Sequence, residues 1–285
     1  ILGLVEGITE YLPVSSTGHL IIASSLLGLA KDEATKSAVD AFTIIIQGGA
    51  ILAVLGLYRA RVMQMIRGVF GRDPIGRRLA INIIIAFIPA ALLGPILDDR
   101  IEAVLFHPVP VLIALAVGGV WMIWLDRWHA GRLGAADAPD AGLSIEDLDI
   151  KRALIIGLLQ CIAMIPGTSR SMMTIGGGVM VGLRRRDAAE FSFLLGLPTL
   201  GAACIYKLAK NLYASSKPDA PPNLFDQLGW MPVIIGIAVA TISAAFAVKW
   251  LVGFLSKHGL APFGWYRIVL AAALGGLIAA GLVVL

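Results

Sequence analysis

Glu6 and Glu10 stand four residues apart, and Ser15, Ser16, Thr17 and His19 follow close behind. Carboxylates at i and i+4 share one face of a helix, with about 5–6 Å between their Cβ atoms. So placed, they can hold a hard cation through oxygen, or act as a base with one member protonated by repulsion from the other. Hydroxyls at the start of a helix offer side-chain oxygens and free backbone N–H groups, a cradle for phosphate oxygens. Plain helix capping would need only one of them. His19, three residues beyond Ser16, lies on roughly the same helical face and can accept a serine proton, attack directly or protonate a leaving oxygen. Its commonplace role in a membrane helix would be a hydrogen bond to a neighbour.

A second polar island, Pro166-Gly167-Thr168-Ser169-Arg170-Ser171 with Thr174, carries the positive charge that the first lacks. A guanidinium does not shed its proton and is seldom buried without an anion, so Arg170 is the strongest single signal. Arginine, the hydroxyls of Ser169, Ser171 and Thr174, and a helix start after Pro166-Gly167 make a second phosphate cradle. The plainer role for Arg170 is a salt bridge to Glu6 or Glu10 that holds the islands together. Arg267 is expected near the cytoplasmic end of the last apolar run, snorkelling outward, and Arg184-Arg185-Arg186 are expected to set topology. Glu190 is placed to bridge to one of those arginines. His107, His129 and His258 read as loop residues without a role, and Gly176-Gly177-Gly178 as a close helix contact.

The elements that must position these residues lie in a membrane. Of the 285 residues, 58% are hydrophobic and 15% charged, and the mean hydropathy is +0.85; soluble domains carry roughly a quarter charged residues. The apolar runs have helical length, without the roughly 10-residue alternation of barrel strands, so the fold class is an all-α integral membrane protein. The net charge of +4 comes from basic residues clustered beside the spans, which argues against a nucleic-acid partner. Cys161 and Cys204 fall in apolar runs and read as packing residues. The opening run is not read as a cleavable signal peptide.

Ile1 to about Ala30 is interrupted at Leu12-Pro13-Val14-Ser15-Ser16, leaving halves too short to cross about 30 Å of hydrocarbon. They read as a re-entrant hairpin. Lys31 to Asp40 is expected as a loop. Ala41–Tyr58, Leu79–Leu97 and Val109–Leu125 are expected to span, with Arg59, Arg61, Arg67, Arg72, Arg77 and Arg78 in one basic loop and Asp98–Pro108 in a short acidic one. Ala153–Leu183 is again broken, at Pro166-Gly167, and Ala188–Leu208, Met231–Val252 and Gly264–Leu285 span, with a loop over Asn211–Trp230. Gly3-Leu4-Val5-Glu6 aligns with Gly157-Leu158-Leu159-Gln160, and Pro13 to Thr17 with Pro166 to Arg170, one residue being skipped between the two. The chain is therefore expected to be one membrane domain: repeat 1 (1–128) and repeat 2 (151–285), joined by a cytoplasmic loop (129–150). With the basic loop inside, Arg184-Arg185-Arg186 also fall inside. Three spans between the hairpins then give an inverted-topology repeat with two re-entrant helical hairpins and six transmembrane helices, the tips meeting near the midplane. Such architecture also suits a transporter or flippase of an anionic lipid; hydroxyl, imidazole and carboxylates crowded in one segment favour catalysis instead.

Glu6-x-x-x-Glu10, Pro13-Val14-Ser15-Ser16-Thr17-Gly18-His19 and Pro166-Gly167-Thr168-Ser169-Arg170-Ser171-x-x-Thr174 closely resemble the bacterial undecaprenyl-diphosphate phosphatase family associated with bacitracin resistance. The likeness covers essentially the whole chain, including Glu190-Phe191-Ser192-Phe193-Leu194-Leu195; Met172 and Met173 depart from it. It implies hydrolysis of undecaprenyl diphosphate to undecaprenyl phosphate, which returns the lipid carrier to peptidoglycan synthesis. The expected membrane is the bacterial inner membrane, with a site open to the periplasm. The residue reading that fits has Ser16 as nucleophile, Glu10 or His19 as base or acid, and Arg170 stabilising developing charge. Ser15, Thr17, Ser169, Ser171 and Thr174 would join Arg170 in binding phosphate, and Glu6 and Glu10 would hold Mg2+ or Ca2+. Attack by His19, or by a water it activates, stays open, as does a homodimer.

Overall fold

The computed structural model describes residues 1–29, 33–105, 107–133, 142–215 and 223–281. Among these, the chain is helical: α1 (Leu2–Thr9), α2 (Ser16–Leu26), α3 (Glu33–Leu57), α4 (Arg59–Val69), α5 (Pro74–Leu105), α6 (Pro108–Leu133), α7 (Ile150–Ile162), α8 (Arg170–Met180), α9 (Arg185–Ser215), α10 (Leu224–Leu228), α11 (Trp230–His258) and α12 (Ala261–Ala279). Stretches of α5, α6, α9, α11 and α12 are long and apolar enough to cross a bilayer. Ala41–Leu57 joins Arg59–Val69 through an 80° bend to make a broken sixth candidate. Large side chains such as Leu92, Ile96, Ile113, Val120, Ile242 and Phe246 stay exposed, as lipid-facing positions do. The protein is thus an all-α, multi-pass membrane protein.

Several expected loops are helical. Arg59–Val69, read as part of a basic loop, forms α4 because its polar residues alternate with an apolar stripe. Met63, Ile66 and Val69, followed by Phe70, are exposed on one side, the pattern of a helix lying in the interface. α5 continues through Asp98 to Leu105, α9 reaches Ser215, and α10 and the start of α11 occupy the end of the expected Asn211–Trp230 loop. Of the expected 31–40 loop, 33–40 belongs to α3 and 31–32 lie outside the described residues. In the expected 129–150 connection, α6 runs on to Leu133, a 3-10 turn forms over Ile145–Asp147 and α7 starts at Ile150; residues 134–141 lie outside the described ones. His129 and His258 are therefore helical, in α6 and α11.

Short α1 packs against α11 and α3, short α7 against α5 and α8, while α3 pairs with α9 and α6 with α12. Both short helices approach a span so closely that only glycine fits: a Cβ on Gly3 would collide with the Gly236 carbonyl, and one on Gly157 with the Ala86 carbonyl. Close backbone approach by small residues is the usual way helices associate without a hydrophobic drive from lipid. It carries the ends of α1 and α7 into the interior, where Tyr11, Val14, Met172, Ile175, Phe191 and Phe193 close the core around them.

Candidate active site

α1 ends at Thr9 and α2 begins at Ser16; α7 ends at Ile162 and α8 begins at Arg170. The N-cap residues of the two second helices, Ser15 (φ 71°) and Ser169 (φ 77°), are the non-glycine residues with positive φ among the described ones. That conformation costs a non-glycine residue on the order of 1–3 kcal/mol and survives only where its surroundings over-determine it. Alignment on the prolines pairs Ser16 with Ser169. The backbone instead pairs Ser15 with Ser169, at the spacing that relates Gly3 to Gly157 and Glu6 to Gln160, and so sets Ser16 opposite Arg170.

The two tips meet. Arg170 Nη2 donates to Glu10 Oε1 at 3.0 Å, and Ser16 Oγ donates to Glu10 Oε2 at 2.8 Å. One carboxylate therefore joins a fixed cation to an alcohol, with the Arg170 and Glu10 side chains only 10% and 6% exposed. Arg170 Nη1 donates to the Ser192 carbonyl at 3.0 Å, and its Cζ lies 5.2 Å from the centre of the Tyr11 ring. Gly196 of α9 leaves room for the guanidinium, since a Cβ there would lie 2.9 Å from Nη1. Ser171 Oγ ties the second tip to the first by donating to the Leu12 carbonyl at 2.8 Å, and lies 3.0 Å from Ser169 Oγ. Thr174 Oγ1 donates back to the Arg170 carbonyl at 2.9 Å and sits 2.6 Å from Ser192 Oγ.

The remaining expected residues divide. His19 stands on α2 with both ring nitrogens engaged outside the Glu10, Ser16 and Arg170 cluster: its Nδ1 is 2.7 Å from the Ser15 carbonyl and its Nε2 2.6 Å from the Tyr266 hydroxyl. Thr17 is half-buried in the first turn of α2, and no hydrogen bond ties it to the cluster among the described residues. Ser15 is buried and contributes its strained backbone and its carbonyl; its side chain makes no cap bond. Arg267 does not snorkel. It is fully buried, because its Nε donates to the Leu115 carbonyl (3.3 Å) and its Nη2 to those of Ala114 (3.0 Å) and Gly167 (2.8 Å), which pins the second tip to α6. Arg267, Tyr266, Ser192 and Tyr11 are site residues that the two motifs do not contain. Of these, Arg267 was marked in the sequence as a charge inside an apolar run, and Ser192 only as part of the Glu190–Leu195 stretch.

Glu6 is fully buried beside the Glu10 and Gln47 side chains, and neither of its carboxylate oxygens meets hydrogen-bond geometry with a partner among the described residues. Bare buried oxygens beside a second carboxylate suit a hard cation or a shared proton. No cluster of three or more His, Cys, Asp or Glu forms among the described residues. Two carboxylates are thus in place for a cation, whose other oxygens would have to come from outside them. Chemistry is not drawn to the cleft of about 660 Å³ between the starts of α5 and α7, lined by Arg77, Arg78, Asn82 and Lys151 among others. Both helix ends there are already satisfied, Asp73 accepting from Gly76 N–H and Asp149 from Arg152 N–H, each at 2.8 Å.

Residues 1–273 match the family model described as bacitracin resistance protein BacA. Among similar curated proteins are an undecaprenyl-diphosphatase of Sorangium cellulosum, 45% identical over 95% of this chain and 83% of its own length, and one of Nitrosospira multiformis, 44% identical over 98% and 95%. Undecaprenyl-diphosphatase 2 of Rhodospirillum rubrum is 46% identical over 98% of this chain and 95% of its own.

Proposed function

The chain belongs to the bacitracin resistance protein BacA family, and we propose that its reaction takes place where the two helical tips meet. It is an undecaprenyl-diphosphate phosphatase, converting undecaprenyl diphosphate to undecaprenyl phosphate and inorganic phosphate. The observation that carries the site assignment is the single carboxylate of Glu10 held between Ser16 Oγ and the Arg170 guanidinium.

Phosphoryl transfer is chiefly positioning and charge stabilisation, so the anion binders come first. Arg170 would exchange Glu10 for the terminal phosphoryl group, helped by the N–H groups that open α2 and α8 and by the hydroxyls of Ser169 and Ser171. Ser16 Oγ attacks the terminal phosphorus as its proton passes to Glu10 Oε2; the bond to the bridging oxygen breaks, Glu10 gives that proton to the departing oxygen, and undecaprenyl phosphate leaves. Water then attacks the phosphoserine, its proton passing to the freed Glu10 carboxylate and on to Ser16 Oγ as the P–O bond breaks and inorganic phosphate is released. Ser16 is favoured over His19 as nucleophile because both imidazole nitrogens are engaged elsewhere. Glu6 and Glu10 would hold Mg2+ or Ca2+, which when bound supplies positive charge to the phosphate oxygens.

The reading places the site in the inner membrane, opening to the periplasm, within an inverted repeat of 1–128 and 151–285. Support for the repeat lies in the matched pairings of α1 with α11 and α7 with α5, and in the matched strain at Ser15 and Ser169. Phosphate release from detergent-solubilised protein tests the assignment without a gradient or sealed vesicle. Ser16→Ala and Glu10→Gln are each expected to lose about 10²-fold or more in kcat while remaining folded, and brief acid quenching of the wild type should trap phosphate on Ser16. Full activity in Ser16→Ala would overturn the role of that residue.

A further inference from the structure

His19 is bonded at both ring nitrogens, and the two partners differ in kind. A carbonyl oxygen only accepts, so the 2.7 Å contact to the Ser15 carbonyl requires hydrogen on Nδ1. The neutral ring then carries its lone pair on Nε2, where the Tyr266 hydroxyl at 2.6 Å must donate. The two rings are parallel to within 2°, with centroids 5.7 Å apart. A hydroxyl can also accept: if Nε2 gains a proton, an N–H bond forms there, and the phenol turns its own hydrogen away and accepts from it. Neither ring has to move. The charged neighbour on the same helix, Arg267, is fixed by three carbonyls and does not compete for Nε2.

We propose that Tyr266 is a positioning residue of the phosphatase, holding His19 in its Nδ1–H form and serving as the reversible partner of Nε2, so that any proton His19 gains or gives passes at the atom facing Tyr266. The proposal rests on a reading additional to the Glu10 route above, that His19 is a second proton donor or acceptor for the headgroup. It also explains why Ser15 tolerates its positive φ: the His19 bond to its carbonyl is one of the contacts that hold that backbone turn.

The test is Tyr266→Phe, which keeps the ring and removes the oxygen. In 15N-histidine-labelled full-length protein in detergent, with His19 assigned by the signals lost in His19→Gln, the Nε2 resonance should move to the unbonded position while Nδ1 stays protonated. In the same variant kcat should fall about tenfold or more, a part of the roughly 10²–10⁴-fold that proton transfer supplies, with KM within about twofold. An unmoved Nε2 resonance, or an unchanged kcat, overturns the proposal. Should Tyr266→Phe fail to fold, 3-fluorotyrosine at 266 keeps the hydroxyl and makes it more acidic; Nε2 must then shift as for a stronger bond, and an unshifted signal is again fatal. Full kcat in His19→Ala would remove the underlying reading, whereas the resonance in Tyr266→Phe still decides what holds the ring.

Discussion

Arg170 Nη2 lies 3.0 Å from Glu10 Oε1, although the two residues are 160 positions apart. Neither tip can be complete without the other, because the first supplies acid and alcohol and the second supplies the cation. The guanidinium that now holds Glu10 is also the group a diphosphate would claim. On the proposed mechanism, substrate binding and release of one Glu10 oxygen would be a single exchange, tying entry of the headgroup to the freeing of the residue proposed to take the Ser16 proton.

Arg170→Ala leaves Glu10 buried without its cation, a loss that costs about 3–5 kcal/mol in buried pairs. A lower melting temperature in detergent is expected together with loss of phosphate release. Arg170→Lys keeps the charge but cannot reach Glu10 and the Ser192 carbonyl at once. Near-native melting with kcat lowered about 10²–10³-fold is expected there. A lysine variant with wild-type kcat would show that the guanidinium fork is dispensable.

Gly196→Ala probes the same group from behind. The added methyl would lie 2.9 Å from Arg170 Nη1 in the rigid middle of α9, so the guanidinium must shift. Because a misplacement of about 1 Å at a reacting group can cost about 10²-fold, kcat should drop by at least tenfold while alanine, a good helix former, leaves melting unchanged or raised. Equal loss of stability and activity would instead point to simple overpacking.

Glu6 offers two bare oxygens that either a divalent ion or a proton can satisfy. Glu6→Gln should weaken the dependence of phosphate release on added Mg2+ or Ca2+, with the half-saturating ion concentration raised about tenfold or more, and Ser16→Ala should leave ion binding intact by calorimetry. Activity that survives chelation in the wild type would assign Glu6 to proton sharing with Glu10.

How far the site was legible in the sequence depended on how unusual each residue is in a bilayer. Glu6, Glu10 and Arg170 stand out because charge at membrane depth is costly, and the meeting of Glu10 with Arg170 is what the sequence reading of two hairpins with facing tips expects. Tyr266 and Ser192 are ordinary residues of apolar helices and Tyr11 of the turn between α1 and α2; only tertiary packing brings them to His19 and Arg170. The register of the two tips was missed by one residue, because Pro13 and Pro166 align in sequence while positive φ, invisible there, aligns Ser15 with Ser169. α4 was hidden because Arg59, Arg61 and Arg67 lower its hydropathy to that of a loop while Met63, Ile66 and Val69 keep a helical period.

Arg267 gives the sharpest contrast between expectation and structure. Read as a snorkelling end residue, it should tolerate lysine; buried and bonded to the Ala114, Leu115 and Gly167 carbonyls, it should not. A hydrogen bond to a charged group contributes about 1.5–3 kcal/mol, and a lysine ammonium, a point donor, cannot reproduce the planar spread of the guanidinium over two helix carbonyls and the tip. Gly118, whose Cβ would lie 2.5 Å from Nη2, leaves the space that only this flat group fills. Arg267→Lys is therefore expected to lower the melting temperature and, by freeing Gly167 just ahead of Ser169 and Arg170, to reduce kcat more than KM. Wild-type melting and kcat in Arg267→Lys would mean that the carbonyl bonds do not hold the second tip in place.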